Sequence, residues 1–261
     1  MKTITKTSDT IYRLTLPYKD IFTTVYTVRT NEGVLLFDAA SYDTDIEHIK
    51  EFLAQAGVSR DELKYVFISH NHTDHAGGLD AFIKEYPDVC IISRCPRLRE
   101  KFADHKFITP EDGDTFLDVL KTVTVPGHTS DAAAILDTRT MTLISGDGLQ
   151  LYGIFGSGNW GANISLVRQH LDALEKLGLL GIEHILTAHD YHPLGYRYDG
   201  KDQVRKALDS CSAPLLKVKA MIEEAPHLSD EEICAMYNAP KTLPTMGIHV
   251  VAAVRRDLVK Q

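Results

Sequence analysis

The chain has 261 residues, enough to bury most of its apolar surface in one large domain or two small ones without disulfide staples. A hydrophobic share of 44% and a charged share of 25% are ordinary for a globular protein, and a formal charge of −8 speaks against a dedicated nucleic-acid binder. No apolar run approaches the roughly 18 residues of a spanning helix, and Met1 to Asp9 lacks the apolar centre of a secretory signal; a cytoplasmic location away from membranes is the expectation.

In chain order, Ile11 to Leu16 and Phe22 to Tyr26 alternate with a period near two and read as strands. Gly33 to Asp38 is a continuous apolar strand ending in a carboxylate. Thr44 and Glu47 have the spacing of a capping box, and Ile46, Ile49, Phe52 and Leu53 share one helical face up to Gly57. Lys64 to Ser69 is a further strand and leads directly into a histidine cluster. Val89 to Ile92 reads as the next strand, and short strands with turns at Asp112-Gly113 and Pro126-Gly127 fill the stretch from Phe107 to Ile144. A helix over Ser165 to Leu177 and a strand over Glu183 to Leu186 follow, and from Lys201 the segment is mainly helical, with a second capping box at Ser229 and Glu232. This order suits mixed sheets packed face to face with helices outside, a layered α/β architecture. Cys90, Cys95, Cys211 and Cys234 have neither zinc-ribbon nor redox-pair spacing and read as buried or partly buried free thiols. The N-x-S/T matches at Asn71 and Asn163 are read as chance occurrences.

The chemistry concentrates in His70-Asn71-His72-Thr73-Asp74-His75, directly after an apolar strand. Residues two apart in an extended segment project the same way, so His70 and His72 can bind one metal, and a turn can aim Asp74 and His75 at a second. Imidazole with carboxylate is a zinc donor set that iron or manganese also accept. Three similar settings lie downstream. His128 follows a Pro-Gly turn, Asp147 stands between two glycines after a strand, and His189 ends a strand. Ligands at strand ends are held by a rigid sheet.

Taken together, His70-x-His72-x-Asp74-His75, Gly127-His128-Thr129, Gly146-Asp147 and Ala188-His189 resemble the metallo-β-lactamase superfamily, in particular its glyoxalase-II-like and lactonase-like branches. The resemblance runs from Ile11 to His189 with the motif elements in order. It implies a four-layer αββα sandwich: a single domain over 1–261, with a core of about 10–195 and a helical C-terminal extension of about 200–261. It also implies two divalent ions, zinc in first place with iron or manganese as alternatives. His70, His72 and His128 would hold one ion, Asp74, His75 and His189 the other, and Asp147 would bridge them. Asp38 matches the family's acidic residue that orients a ligand without binding the ion. True β-lactamases usually carry a cysteine near the position of Asp147, which makes antibiotic hydrolysis the weaker reading.

The implied activity is hydrolysis of a small ester, thioester or lactone by a metal-bridging hydroxide, with Asp74 exchanging a proton with the water or the leaving group. The surplus positive charge at such a site favours an anionic transition state. Gln150 to Gly161 contains many glycines, three aromatics and the only tryptophan, and reads as a mobile lining in which Tyr152, Phe155 or Trp160 touches substrate. Tyr191, two residues past His189, is a further candidate contact. Two departures leave the substrate open. No basic residue follows Asp147 before Trp160, as glyoxalase II would require, and Gln150 stands where lactonases place a tyrosine. The other histidines read as bland, with His48 and His170 on helices and His192 at the surface or behind a ligand. The partner is a small molecule, and a homo-oligomer is compatible with the chain. The rivals are a mononuclear iron-dependent persulfide dioxygenase, a phosphodiesterase or nuclease, and a non-catalytic metal-stabilised binding protein.

Overall fold

The computed structural model describes residues 2–157, 160–240 and 244–259. The chain is mixed α/β with two sheets, of seven and six strands, and a helical C-terminal region. It divides into two compact units: residues 1–123 with 135–138, and residues 124–134 with 139–261.

In the first unit, β1 (Thr3–Lys6), β2 (Ile11–Tyr18), β3 (Ile21–Arg29) and β4 (Val34–Phe37) form an antiparallel meander, and β5 (Leu63–Ile68), β6 (Cys90–Ser93) and β7 (Phe107–Ile108) add to β4 in parallel. The parallel connections carry α1 (Ile46–Gln55), the one-turn α2 (Thr73–Ala76), α3 (Leu79–Glu85) and α4 (Pro96–Lys101). Parallel strands are buried on both faces, and Val34-Leu35-Leu36-Phe37 accordingly shows four buried side chains in a row. On one face Ile49, Phe52 and Leu53 of α1 and Leu79 and Phe82 of α3 pack against Leu36, Val66 and Ile68. On the other, Phe37 and Phe67 stack at 5.4 Å. The apolar face assigned to α1 from its spacing is the one that is buried.

The capping box assigned to Thr44 and Glu47 is not what starts this helix. The chain enters through a short 3-10 turn over Asp43–Asp45, and the Asp45 carboxylate accepts from the backbone N–H of Ser41 and Tyr42 at 3.1 and 3.0 Å. Glu47 pairs instead with Lys50. The antiparallel hairpin of β8 (Thr115–Phe116) and β9 (Leu120–Thr124) follows, with all but Thr124 in this unit, and β10 (Ala133–Asp137) is divided between the units.

In the second unit β11 (Thr142–Ile144) pairs in parallel with β12 (His184–Tyr191), which pairs antiparallel with β13 (Gly195–Asp199). Strand β12 runs five residues beyond the Leu186 end read from the sequence, so His189 lies inside a strand. Its register shifts between Leu186 and Tyr191, an irregularity of the kind that re-aims side chains. Helices α5 (Val167–Leu179), α6 (Lys201–Glu224), α7 (Asp230–Asn238) and α8 (Ile248–Leu258) share a core of Val167, Leu215, Val218, Ile222, Ile233, Val250, Val251 and Val254. The capping box at Ser229 and Glu232 forms as read, with both reciprocal hydrogen bonds present. Asp257 of α8 caps α5 by accepting from Val167 N–H at 2.8 Å. No described helix is long and apolar enough to cross a membrane, and the four cysteines are free thiols, Cys95 and Cys211 buried and Cys90 and Cys234 partly so.

Candidate metal centre

The first-unit residues gather where β4 and β5 end side by side. Because these strands are parallel, with Phe37 opposite Phe67, their carboxyl ends deliver Asp38 and Ser69-His70 to the same edge. Asp38 N–H donates to the Phe67 carbonyl at 2.8 Å, and the residue takes a left-handed φ of 62°, which short polar side chains tolerate. His72 then stands at the start of α2, whose single turn carries Asp74 and His75 back towards His70. The ring centroids of His72 and His75 lie 4.6 and 4.2 Å from that of His70, and His75 Nε2 is 3.5 Å from Asp74 Oδ2. His70, Asp74 and His75 are buried, while His72 is exposed. Residues 39–41 cross this turn so closely that a Cβ on Gly77 would stand 1.9 Å from the Ser41 carbonyl oxygen, and only glycine fits. Thr23 of β3 ties the turn down from the other side, its hydroxyl donating to the Asp74 carbonyl at 2.6 Å.

Asp38 sets the ring chemistry. It accepts from Ser69 N–H at 2.8 Å, from the Ser69 hydroxyl at 3.0 Å and from His75 Nδ1 at 2.7 Å. Since a carboxylate accepts, His75 carries its proton on Nδ1 and keeps the Nε2 lone pair. The Ser69 hydroxyl spends its proton on Asp38, so its oxygen accepts from His70 Nδ1 at 3.1 Å, and His70 is left with the same tautomer. Burial pushes the Asp38 carboxyl above the usual range, against the opposing pull of His75 and Ser69. Ser69 escaped the sequence reading, which took it only as the last residue of a strand.

In the second unit, Asp147 sits on a 3-10 turn after β11, and His189 on the neighbouring parallel strand β12. His128 follows Gly127, whose φ of 153° and contact with His170 exclude a side chain. His189 Nε2 is 3.3 Å from Asp147 Oδ1 and His128 Nε2 is 3.4 Å from Asp147 Oδ2, so the carboxylate spans the two rings. His128 Nδ1 donates to the Asn163 carbonyl at 2.6 Å, which again leaves Nε2 with its lone pair. Two donor atoms sharing a tetrahedral ion at about 2.1 Å stand about 3.4 Å apart, so both clusters have ligand-like spacing in donor type and distance. The His/Asp clusters of the chain could bind metal ions.

Tyr191 is fully buried, and its hydroxyl donates to Asp147 Oδ1 at 3.2 Å. Tyr152 and Phe155 are 38% and 42% exposed, Trp160 is half-buried, and the Phe155 ring lies 3.8 Å from that of His192. Their loop is pinned by the bonds Phe155 N–H to Asp190 O at 2.7 Å and Ile154 N–H to Trp160 O at 2.9 Å; Gly158 and Asn159 lie outside the described residues. His184 pairs with Asp199, His105 with the Val89 carbonyl and His249 with Asn163. His170 is buried, and burial lowers its pKa to about 4.

A family model described as the metallo-beta-lactamase superfamily matches residues 18–94, the segment that holds Asp38 and the histidine turn. Among curated proteins it is 28% identical over 172 residues to a hydroxyacylglutathione hydrolase of Francisella philomiragia, covering 62% of this chain and 63% of that one. It is 27% identical over 151 residues to an atrochrysone carboxyl ACP thioesterase of Paecilomyces divaricatus, covering 56% and 46%. The matches therefore span less than two thirds of these relatives' lengths. A metallo-beta-lactamase family protein of Thermus thermophilus superposes with a TM-score of 0.64 at 18% identity, over 97% of this chain and 93% of that one. This likeness shows the metallo-beta-lactamase fold and nothing finer.

Proposed function

We propose that the protein is a dinuclear metal-dependent hydrolase of small ester, thioester or lactone bonds. In this reading His70, His72 and His128 hold one ion, Asp74, His75 and His189 the other, and Asp147 bridges them, zinc being the first choice of metal. The observation that carries it is the state of the imidazoles. In His70, His75 and His128 alike, Nδ1 donates to a fixed oxygen, so that Nε2 is left as a lone-pair donor; in His75 and His128 it stands beside a carboxylate. Buried histidines serving only the core would have no need of one common tautomer. The names of the relatives, a hydrolase and a thioesterase, agree with the bond class.

Bound divalent ions would supply a nucleophile by acidifying water and would polarise the acyl oxygen as Lewis acids. The chain's own residues then orient and move protons. Asp38 and Ser69 hold the imidazoles of His75 and His70, and Asp74, with its carboxylate 3.5 Å from His75 Nε2, would exchange a proton with the leaving group. Tyr152, Phe155 and Trp160 provide apolar surface for an acyl chain. Elemental analysis of purified protein tests the reading: close to two zinc, iron or manganese ions per chain are expected, along with loss of ester, thioester and lactone hydrolysis on chelation. Full turnover in the chelated protein would sink it.

A further inference from the structure

Gln150 stands out in the sequence only as the absence of a tyrosine. It is 4% exposed, and its amide is committed at both ends inside the second unit. Asn163 N–H donates to Gln150 Oε1 at 2.7 Å, which fixes the orientation of the amide and turns Nε2 towards Asp147 Oδ2 at 3.1 Å. Asn163 is also the residue whose carbonyl accepts from His128 Nδ1. Nε2 lies 3.3 Å from His128 Nδ1, but that nitrogen already donates to the carbonyl, so the contact is one of packing. The Gln150 backbone N–H in turn donates to the sulfur of the buried Cys211 of α6, which anchors the residue from behind.

We propose that Gln150 is a positioning residue that sets Asp147 and His128 together. One arm fixes the face of the carboxylate, and the other holds Asn163, the residue whose carbonyl fixes the imidazole. The inference rests on the reading above that His128 and Asp147 are metal ligands. With Tyr191 holding Oδ1 and Gln150 holding Oδ2, the Asp147 carboxylate is restrained from both sides, as a bridge between two ions requires. A hydrophobic residue of the same length fills the volume but makes neither bond. The helical C-terminal region thereby gains a role, since Cys211 of α6 braces Gln150 and His249 of α8 lies 2.7 Å from the Asn163 side chain.

The test compares wild type with Gln150→Met, near-isosteric without the amide, and Gln150→Asn, which keeps the amide on an arm too short to reach both partners. Each is loaded with cobalt(II), and affinity is read by chelator competition and geometry by the visible absorption bands. Loss of a group behind a ligand weakens metal binding by about 10–100-fold. The expected result is a weakening of that size for at least one ion in Gln150→Met, a shifted spectrum, and a smaller change in Gln150→Asn. Unchanged affinity and spectrum in Gln150→Met would overturn the inference, since packing alone would then suffice. If that variant fails to fold, Gln150→Asn decides on the same readouts. Failure of the underlying reading is separately visible, because wild type would then bind no cobalt, or His128→Ala would bind it as tightly as wild type.

Discussion

Substituting Asp38 by asparagine changes one atom and should change which nitrogen of His75 is available. Oδ1 of Asp38 accepts from the Ser69 backbone N–H, a donor that cannot be turned away, so the asparagine must keep its carbonyl oxygen there. Its NH2 group then faces the Ser69 hydroxyl and His75 Nδ1, both donors in the present structure. The serine can rotate, but the imidazole has to move its proton to Nε2 and accept at Nδ1, and the ligand lone pair is lost. The left-handed φ of 62° at this position suits asparagine, so the fold should survive. The expected cost is about 10–100-fold in affinity for the ion on His75, or about 1.4–2.7 kcal/mol. Two-bond 1H–15N correlation spectra of the metal-free protein read the tautomer, and zinc competition with a chromogenic chelator reads the affinity. An Asp38→Asn protein with His75 still protonated on Nδ1 and zinc bound as tightly as in wild type would refute the reasoning.

Tyr191→Phe deletes the hydroxyl that holds Asp147 Oδ1 and nothing else; a loss of about 1 kcal/mol, roughly fivefold in metal affinity, is expected by titration calorimetry with an unchanged melting temperature. His170 is neutral in the fold, with its pKa lowered to about 4 by burial first and by His128 second, against an ordinary value of 6.5. Between these values the unfolded chain binds more protons, so stability should fall as pH drops from about 6.5 to 4, by an amount on the order of 3 kcal/mol. His170→Phe should lose that part of the acid sensitivity, and urea unfolding of both proteins at pH 7 and pH 5 measures it; parallel pH profiles would contradict the assignment.

Local spacing in the chain was sufficient to identify the ordering of strands and helices, the buried face of α1, the capping box at Ser229 and the histidine and aspartate motifs. Each of these is carried by residues a few positions apart, where side-chain direction follows from backbone period alone. What local spacing could not supply is the state of those side chains. The Nδ1 protons of His70, His75 and His128 are set by Asp38, Ser69 and Asn163; the bonds from Asp38 to Ser69 and His75 cross 31 and 37 residues, and the bond between His128 and Asn163 crosses 35. The same holds for Gln150, which the sequence marks only by a missing tyrosine, and for Tyr191, whose hydroxyl meets Asp147 across 44 residues. The capping box misread at Thr44 and Glu47 has a local cause, because Asp45, one residue on, closes the turn onto Ser41 and Tyr42 and leaves Thr44 inside that turn instead of ahead of the helix. The sequence by itself thus determined which donor atoms the protein owns and in what order. Only the tertiary structure decided which of them present a lone pair, because a proton on an imidazole answers to whichever distant oxygen the fold brings beside it.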